Sequence, residues 1–211
     1  MPNHGLLLGD WYLHMIRGDS TEYEKLAEWV KTLPFYTESP AQIMTCEIGV
    51  REGLGSQIIM DGIRARMPGV KYKHIAIDPY GDLLYQHYDN SIQNKPDFPV
   101  QADYTDDMMK QMIKDFSAYP EFKFHNMTDT EFMNKHPGMG PFDFVYFDGP
   151  HMTKDILTES IWFANRSRRG TRFIFDDYTT YSMDQVAYCL IFFDFKTIEA
   201  GENKICLEKI K

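Results

Sequence analysis

A glycine-rich turn follows an apolar run that ends at an acidic residue, within the segment CEIGVREGLGS of residues 46–56. Its glycines are Gly49, Gly53 and Gly55, and because glycine has no Cβ, the backbone can turn sharply there and approach a ligand closely. A second apolar run ends in Asp78, which lies 23 residues after Gly55. Nucleotide-binding βαβ units place roughly 20 residues between the glycine turn and the acid that binds the ribose. The two features together indicate a site for a cofactor that contains adenosine.

The order of the glycines distinguishes between adenosine cofactors. A dinucleotide site uses G-x-G-x-x-G around a pyrophosphate, whereas this loop reads G-x-x-x-G-x-G. The carboxylate of Glu47 would repel a pyrophosphate but would tolerate a cofactor that carries an ammonium and a sulfonium group. We therefore predict S-adenosylmethionine (SAM), bound by Glu47, Gly49, Gly53, Gly55, Ser56 and Asp78, with Ser56 capping the following helix. The simpler alternative is a glycine loop that only turns a strand into a helix.

Acidic residues also follow two later apolar runs. Asp148 comes directly after the first of these runs, and the pair Asp176-Asp177 comes directly after the second. In open α/β sheets, ligands bind beyond the carboxyl ends of the strands. Together with Glu47 and Asp78, these acids mark four predicted strand ends. We therefore expect a single acidic crevice at one edge of the sheet.

The elements that would position these residues follow from periodicity and from turn signals. Strands are predicted over 43–48, 72–77, 122–125, 142–147 and 171–175, and helices over 56–66, 130–136, 153–165 and 183–192, with a further helix after Thr105. The last two runs, 195–199 and 204–210, flank a glycine turn and should form a hairpin. The predicted fold class is α/β: a Rossmann-like, doubly wound sheet, mostly parallel, with an antiparallel C-terminal hairpin.

Two segments lie outside this alternating pattern. Residues 1–40 are predicted to be an N-terminal helical extension, in which Ser20 and Thr21 cap a helix, and residues 41–211 the SAM-binding domain. Residues 79–104 are rich in tyrosine and have little periodicity. Such a stretch in a compact domain is typical of a lid or a binding loop. We expect an insertion that shields the site, with a homo-oligomer contact as the alternative.

Composition excludes several classes of function. The chain has 211 residues, which suits one α/β domain, and no run of 18 apolar residues that could span a membrane. A net charge of −9 argues against a nucleic-acid partner, since phosphate recognition needs clustered Lys and Arg. The three cysteines form no CxxC pair and indicate reduced thiols. We expect a cytoplasmic protein with a small-molecule substrate and without a nucleic-acid or membrane partner.

The glycine loop, the spaced Asp78, the strand-end acids and the final hairpin resemble those of class I SAM-dependent methyltransferases over most of residues 41–211. Within that group, the segments EIGV (47–50), DGPH (148–151) and FDDY (175–178) are similar to bacterial small-molecule O-methyltransferases of the macrocin type and, more distantly, of the catechol type. The resemblance implies transfer of a methyl group from SAM to a hydroxyl of a sugar, a phenol or a natural product.

The resemblance also implies a metal. Metal-assisted relatives hold Mg²⁺ with an acid after the fourth strand and an acidic pair after the fifth, positions that Asp148, Asp176 and Asp177 occupy here. Mg²⁺ takes oxygen ligands octahedrally, and it could align a diol and lower the pKa of the attacking hydroxyl. The alternative is that Asp176 caps a turn, Asp177 faces solvent and Asp148 only contacts the cofactor.

The same comparison suggests a base and an adenine site. His151 lies where this branch has a histidine and the catechol type has a lysine, so it is the candidate general base, with Asp148 beside it as a second catalytic residue. The alternative is a histidine that only hydrogen-bonds its own loop. Asn126 and Met127, after the third predicted strand, would border the adenine.

Two other classes of function stay open. One is a nicotinamide-dependent oxidoreductase, which also needs a glycine loop and a ribose-binding acid, although the glycine order disfavours it. The other is a catalytically silent module that has the SAM-binding fold and binds a partner. The identity of the methyl acceptor does not follow from the sequence.

Overall fold

The computed structural model describes residues 16–18, 20–34, 42–81, 104–181 and 183–211, together with the backbone of four two-residue strands between them. The helices are α1 (Tyr23–Lys31), α2 (Leu54–Arg66), α3 (Asp106–Asp115), α4 (Asp129–Lys135), α5 (Thr153–Ala164) and α6 (Met183–Leu190). The strands are β1 (Ile43–Ile48), β2 (Tyr72–Ile77), β3 (Leu84–Tyr85), β4 (Tyr88–Asp89), β5 (Lys95–Pro96), β6 (Val100–Gln101), β7 (Phe122–His125), β8 (Phe142–Phe147), β9 (Ser167–Phe175), β10 (Phe195–Ala200) and β11 (Ile205–Lys209).

Seven of these strands form one sheet in the order β10-β11-β9-β8-β1-β2-β7. The strands from β9 to β7 are parallel to one another, whereas β11 runs antiparallel to both β9 and β10. The predicted α/β class, with a mostly parallel sheet and an antiparallel C-terminal hairpin, is confirmed. Because β1 pairs with β2 on one side and β8 on the other, the chain changes its winding direction at β1. Ligands of such sheets bind at this switch point.

Both faces of the sheet are covered, which explains why its central strands are apolar throughout. All six residues of β8 are buried, as expected for a parallel strand between two layers of helices. Phe147 belongs to the core that α5 and α6 complete, and Phe144 belongs to the core on the α1 and α2 side. The carboxyl ends of β1, β2, β8 and β9 therefore meet at one edge.

The start of α1 differs from the prediction. Glu22, in a left-handed conformation with φ 55°, is the N-cap residue, and neither Ser20 nor Thr21 caps the helix. The Glu22 carboxylate instead accepts the backbone N–H groups of residues 202, 203 and 204, at 3.0, 2.7 and 2.9 Å. Burial opposes its ionisation, but these three donors hold the pKa of Glu22 below its usual value. The segment before α1 is thereby fastened to the turn between β10 and β11.

The insertion begins and ends at neighbouring points of the fold. The backbone N–H of Gly81 donates to the carbonyl of Tyr104 at 2.9 Å, and the Tyr80 and Tyr104 rings meet edge to face. Between them, β3 pairs with β6 and β4 pairs with β5, so the expected lack of regular structure is wrong for these short strands. The predicted lid or oligomer contact depends on side chains that lie outside the described residues.

None of the helices in the described part of the chain is both long enough and apolar enough to cross a membrane. All three cysteines are free thiols, with Cys46 and Cys206 buried and Cys189 partly exposed.

Candidate active site

The glycine loop joins β1 to α2 and packs against the end of β8. At Gly49 φ is +81°, and a Cβ there would lie 2.0 Å from the carbonyl oxygen of Asp148. At Gly53 φ is +97°, and a Cβ would lie 2.4 Å from the Phe116 ring. Both positions need glycine, because other residues rarely adopt these conformations and lack the space. Gly53 is the N-cap residue, so α2 begins at Leu54, earlier than predicted.

Ser56 lies inside the first turn of α2, and the prediction that it caps this helix is wrong. Its side chain is fully buried, and its hydroxyl hydrogen-bonds to the Glu47 carboxylate below it. The same carboxylate lies directly under Gly55, where a Cβ would be 2.0 Å from Glu47 Oε1. Glu47 therefore supports the start of α2 from inside the protein. Contact of Glu47 or Ser56 with the cofactor stays a prediction.

A chain of hydrogen bonds continues from Ser56 into the core. The Ser56 hydroxyl has one hydrogen, which goes to Glu47, so it accepts from His74 Nε2 at 2.8 Å. His74 Nδ1 then accepts from Thr45 Oγ1 at 2.7 Å, and Thr45 accepts from the Tyr72 hydroxyl at 2.7 Å. The neutral imidazole that burial favours then carries its proton on Nε2. Burial lowers the pKa of His74 to about 3, which keeps it neutral at ordinary pH.

The contact between Gly55 and Glu47 can be tested by adding one methyl group. Gly55→Ala should lower the free energy of unfolding by about 1–3 kcal/mol, because the new Cβ would overlap the Glu47 carboxylate. Helix propensity would favour alanine at this helical position, so only the overlap can produce a loss. Urea unfolding measures the change. Gly138→Ala, in a turn where a Cβ would have nothing within 4 Å, is the control and should not lower stability.

Asp78 follows β2 and holds the glycine loop in place. Its Oδ2 accepts the backbone N–H groups of Val50 and Arg51, each at 2.8 Å. Next to it, at the end of β7, Asn126 Oδ1 accepts the backbone N–H of Tyr80 at 2.8 Å. Asp78 is buried, whereas Asn126 is exposed and the adjoining Met127 is partly buried. The residues predicted for the ribose and the adenine therefore come from adjacent strand ends.

Asp148 and Asp176 are joined through a tyrosine. The Tyr146 hydroxyl lies 2.5 Å from Asp176 Oδ2 and 3.0 Å from Asp148 Oδ2. The other oxygen of Asp176 accepts from the ammonium of Lys204 at 2.7 Å. Burial opposes ionisation, but the charge of Lys204 holds the pKa of the Asp176 carboxyl below its usual range.

These contacts bear on the metal prediction. Within the residues that the structure describes, no three His, Cys, Asp or Glu side chains are grouped so that they could hold a metal ion. The predicted Mg²⁺ site of Asp148, Asp176 and Asp177 therefore has no support in the described residues. The physical reason is that Asp176 is paired with a lysine that sequence reasoning had not connected with it.

Asp177 faces His151 instead. Its Oδ2 lies 3.7 Å from His151 Nε2, and the imidazole stacks on the Tyr181 ring with centroids 4.2 Å apart and planes inclined by 5°. Asp177 has φ +50°, a conformation that a non-glycine residue adopts at an energetic cost and that is common at functional sites. The imidazole is thus held between an aromatic ring and a carboxylate. That arrangement can orient a general base.

Sequence reasoning missed Tyr146, Lys204 and Tyr181. Tyr146 lies within an apolar strand, where its hydroxyl carried no signal of a polar partner. Lys204 follows a predicted turn, a position where a lysine is ordinarily exposed. Tyr181 follows the acidic pair closely, and this proximity to Asp177 was the one available signal.

The comparisons with known proteins agree with this geometry. A family model described as "Methyltransferase domain" matches residues 46–178, which is more than half of the chain and contains the glycine loop, Asp78, Asp148, His151 and the acidic pair. The chain belongs to this family. It is a class I SAM-dependent methyltransferase. A sequence search among curated proteins finds no match for this methyltransferase.

Solved structures with the same fold include enzymes for different substrates. The O-methyltransferase NovP is 15% identical, with a TM-score of 0.63 over 89% of this chain and 79% of its own. TomG from Streptomyces achromogenes, an O-methyltransferase of tomaymycin synthesis solved with SAM, is 11% identical, with a TM-score of 0.60 over 93% and 82%. An rRNA methylase from Streptococcus thermophilus is 12% identical, with a TM-score of 0.57 over 94% and 100%. At these identities the likeness concerns the fold alone.

Proposed function

We propose that this methyltransferase moves the methyl group of SAM to a hydroxyl of a small organic molecule, with His151 as the general base. The observation that carries the proposal concerns His151, which lies on the loop after β8. Its imidazole is held by Asp177 and Tyr181, which follow β9. This loop leaves the same sheet edge as the glycine loop and Asp78. An oxygen nucleophile must lose a proton during methyl transfer, and a neutral histidine is suited to accept it.

The cofactor would lie across the ends of β1, β2 and β7. In this proposal Gly49, Gly53 and Gly55 pass close to its methionine part, the Asp78 carboxylate accepts hydrogen bonds from the ribose hydroxyls, and Asn126 and Met127 border the adenine. The buried position of Asp78 supports this role, since a carboxylate held by two backbone N–H groups is already oriented.

When bound, SAM supplies a methyl group on a positively charged sulfur for in-line displacement. His151 would stand beside the acceptor hydroxyl and take its proton while the new C–O bond forms and the C–S bond breaks. The Asp177 carboxylate would stabilise the imidazolium that results, at the 3.7 Å separation seen here. S-adenosylhomocysteine leaves with the electron pair of the broken C–S bond, so charge and protons balance.

A small acceptor fits the chain better than RNA. The net charge of −9 would repel a phosphate backbone, although a fold neighbour acts on rRNA. NovP and TomG are O-methyltransferases, and TomG is named for tomaymycin synthesis, which supports an acceptor of the sugar, phenol or natural-product type. We further propose a cytoplasmic location, in keeping with three free thiols.

Calorimetric titration with SAM and then with NAD tests the cofactor. We expect a saturable binding heat with SAM and none with NAD, because the loop lacks the glycine order of a dinucleotide site. Tight NAD binding without SAM binding would instead support an oxidoreductase. Incubation with SAM and a panel of sugars and phenols then tests catalysis. If SAM binds and no S-adenosylhomocysteine forms with any acceptor, the silent binding module becomes the better description.

A further inference from the structure

Lys204 is a buried cation close to the candidate site. Its side chain has no exposed surface, and its ammonium donates to Asp176 Oδ1 at 2.7 Å and to Ser20 Oγ at 2.6 Å. The ammonium also lies 5.1 and 5.3 Å from the ring centroids of Tyr23 and Tyr146. Burial of an ammonium is energetically unfavourable unless a counter-ion and hydrogen bonds replace the water that it loses. Here carboxylate, hydroxyl and aromatic faces supply them.

The carboxylate of Asp176, the partner of Lys204, is already surrounded by hydrogen-bond donors. Asp176 Oδ1 accepts from Lys204, from Asn203 Nδ2 at 2.8 Å and from the backbone N–H of Asp177 at 2.9 Å, and Oδ2 is 2.5 Å from the Tyr146 hydroxyl. A Mg²⁺ ligand must approach the ion to about 2.1 Å. Asp176 would have to give up these donors, and a dication would then face a buried ammonium.

One tyrosine connects the Lys204–Asp176 pair to Asp148, at the edge of the sheet where the substrate is proposed to bind. The Tyr146 hydroxyl donates its single hydrogen between two carboxylates, to Asp176 Oδ2 at 2.5 Å and to Asp148 Oδ2 at 3.0 Å. Asp176 thereby fixes the position of the Tyr146 oxygen, which contacts Asp148 from inside the protein. Lys204, Asp176, Tyr146 and Asp148 form a continuous series of contacts, which we call the Lys204 chain.

We propose that Lys204 is the built-in cation of this methyltransferase: it neutralises Asp176 and, through Asp176 and Tyr146, positions Asp148 for a methyl transfer that needs no metal. The inference rests on the proposed function only for the methyl-transfer step. Lys204 is a positioning residue in this account, because it acts through its two neighbours.

The N-terminal segment completes the arrangement. Ser20 accepts directly from Lys204, and the Glu22 carboxylate accepts the backbone N–H groups of residues 202–204. The turn that carries Lys204 is therefore held from two sides. A segment predicted to be a helical extension thus contributes to the interior of the candidate site.

The first experiment uses the unmodified protein and needs no variant. After dialysis against EDTA, Mn²⁺ is titrated and followed by electron paramagnetic resonance, and turnover is measured with and without Mg²⁺. We expect no stoichiometric Mn²⁺ binding and undiminished turnover in EDTA. Stoichiometric Mn²⁺ binding that disappears in Asp176→Asn would overturn the proposal, as would turnover that requires Mg²⁺. If the protein neither binds SAM nor forms product, the proposed function fails, and Mn²⁺ binding still decides the metal question.

The second experiment removes the cation. Lys204→Met alone would leave Asp176 buried without its counter-ion and could prevent folding, so we pair it with Asp176→Asn to remove both charges. We expect the double variant to bind S-adenosylhomocysteine normally, to lose about 10- to 100-fold in kcat and to show a shifted pH profile, since Asp148 has lost its support. Lys204→Arg should retain part of the activity.

The matched control is Lys25→Met, which breaks a partly exposed pair with Glu199. It should leave kcat and the pH profile unchanged. A folded double variant with the kcat and pH profile of the unmodified protein would refute the positioning role. If the double variant does not fold, Tyr146→Phe takes its place, because it keeps the Lys204–Asp176 pair and removes the hydroxyl that joins Asp176 to Asp148; an unchanged kcat and pH profile in this variant would refute the positioning role.

Discussion

Replacement of His151 by alanine is expected to lower kcat by about 10²- to 10⁴-fold, the range that general-base catalysis contributes. His151 lies on the loop after β8, against Asp177 and the Tyr181 ring, whereas the residues proposed to bind the cofactor follow β1, β2 and β7. SAM affinity should therefore change little. Turnover is measured as S-adenosylhomocysteine formed with an accepted substrate, and affinity by calorimetry on the same preparation.

Two further variants make the test specific. His136→Ala replaces a histidine at the C-cap of α4 whose ring packs against the rings of Phe132 and His125, and it should retain kcat. Asp177→Asn should lower kcat, but by less than His151→Ala does. The imidazole keeps a neighbouring side chain and loses only the charge that stabilises its protonated form. If His151→Ala turns over at the unmodified rate, His151 is not the base.

The largest expected effect on stability comes from His74 at low pH. Its pKa is about 3 in the folded protein because of burial, whereas the value in the unfolded chain is about 6.5. Below pH 6.5 the unfolded chain binds a proton that the folded protein does not. The stability present above that pH is thus lost progressively toward pH 3, by about 1.4 kcal/mol per pH unit.

Urea unfolding at several pH values between 7 and 4 measures this loss. The unmodified protein is compared with His74→Gln in the same buffers. All other groups titrate in both proteins, so their effect on stability cancels in the difference. Glutamine keeps a polar side chain between Thr45 and Ser56 but cannot be protonated. We expect the difference in the free energy of unfolding between the unmodified protein and His74→Gln to narrow as the pH falls. Parallel curves would contradict the neutral, buried imidazole.

The regular elements of the sheet were predictable because their signals are local. The six-residue apolar run of β8 is buried on both faces, and Thr105 caps α3 by accepting the backbone N–H of Met108, as its position before a helical pattern predicts. The cap of α1 was not predictable in this way. Ser20 and Thr21 have suitable side chains, but Ser20 contacts Lys204, and Glu22 begins the helix from a left-handed conformation.

The same division applies to the candidate site. The positions of Asp78, Asp148 and the acidic pair could be predicted, because parallel strands bring their carboxyl ends to one edge. What each acid contacts could not be predicted. Asp177 faces an imidazole, and Asp176 faces a lysine that comes 28 residues later in the chain.

The sequence by itself determined the fold class, the glycine loop, the family and the edge at which the chemistry should lie, since strand alternation, glycine spacing and terminal acids are encoded within short segments. Only the tertiary structure decided which cation neutralises Asp176. Lys204 is buried because β11 lies beside β9 and because residues before α1 hold its turn. Such a pairing joins three distant segments, and its energy depends on burial that no single segment specifies.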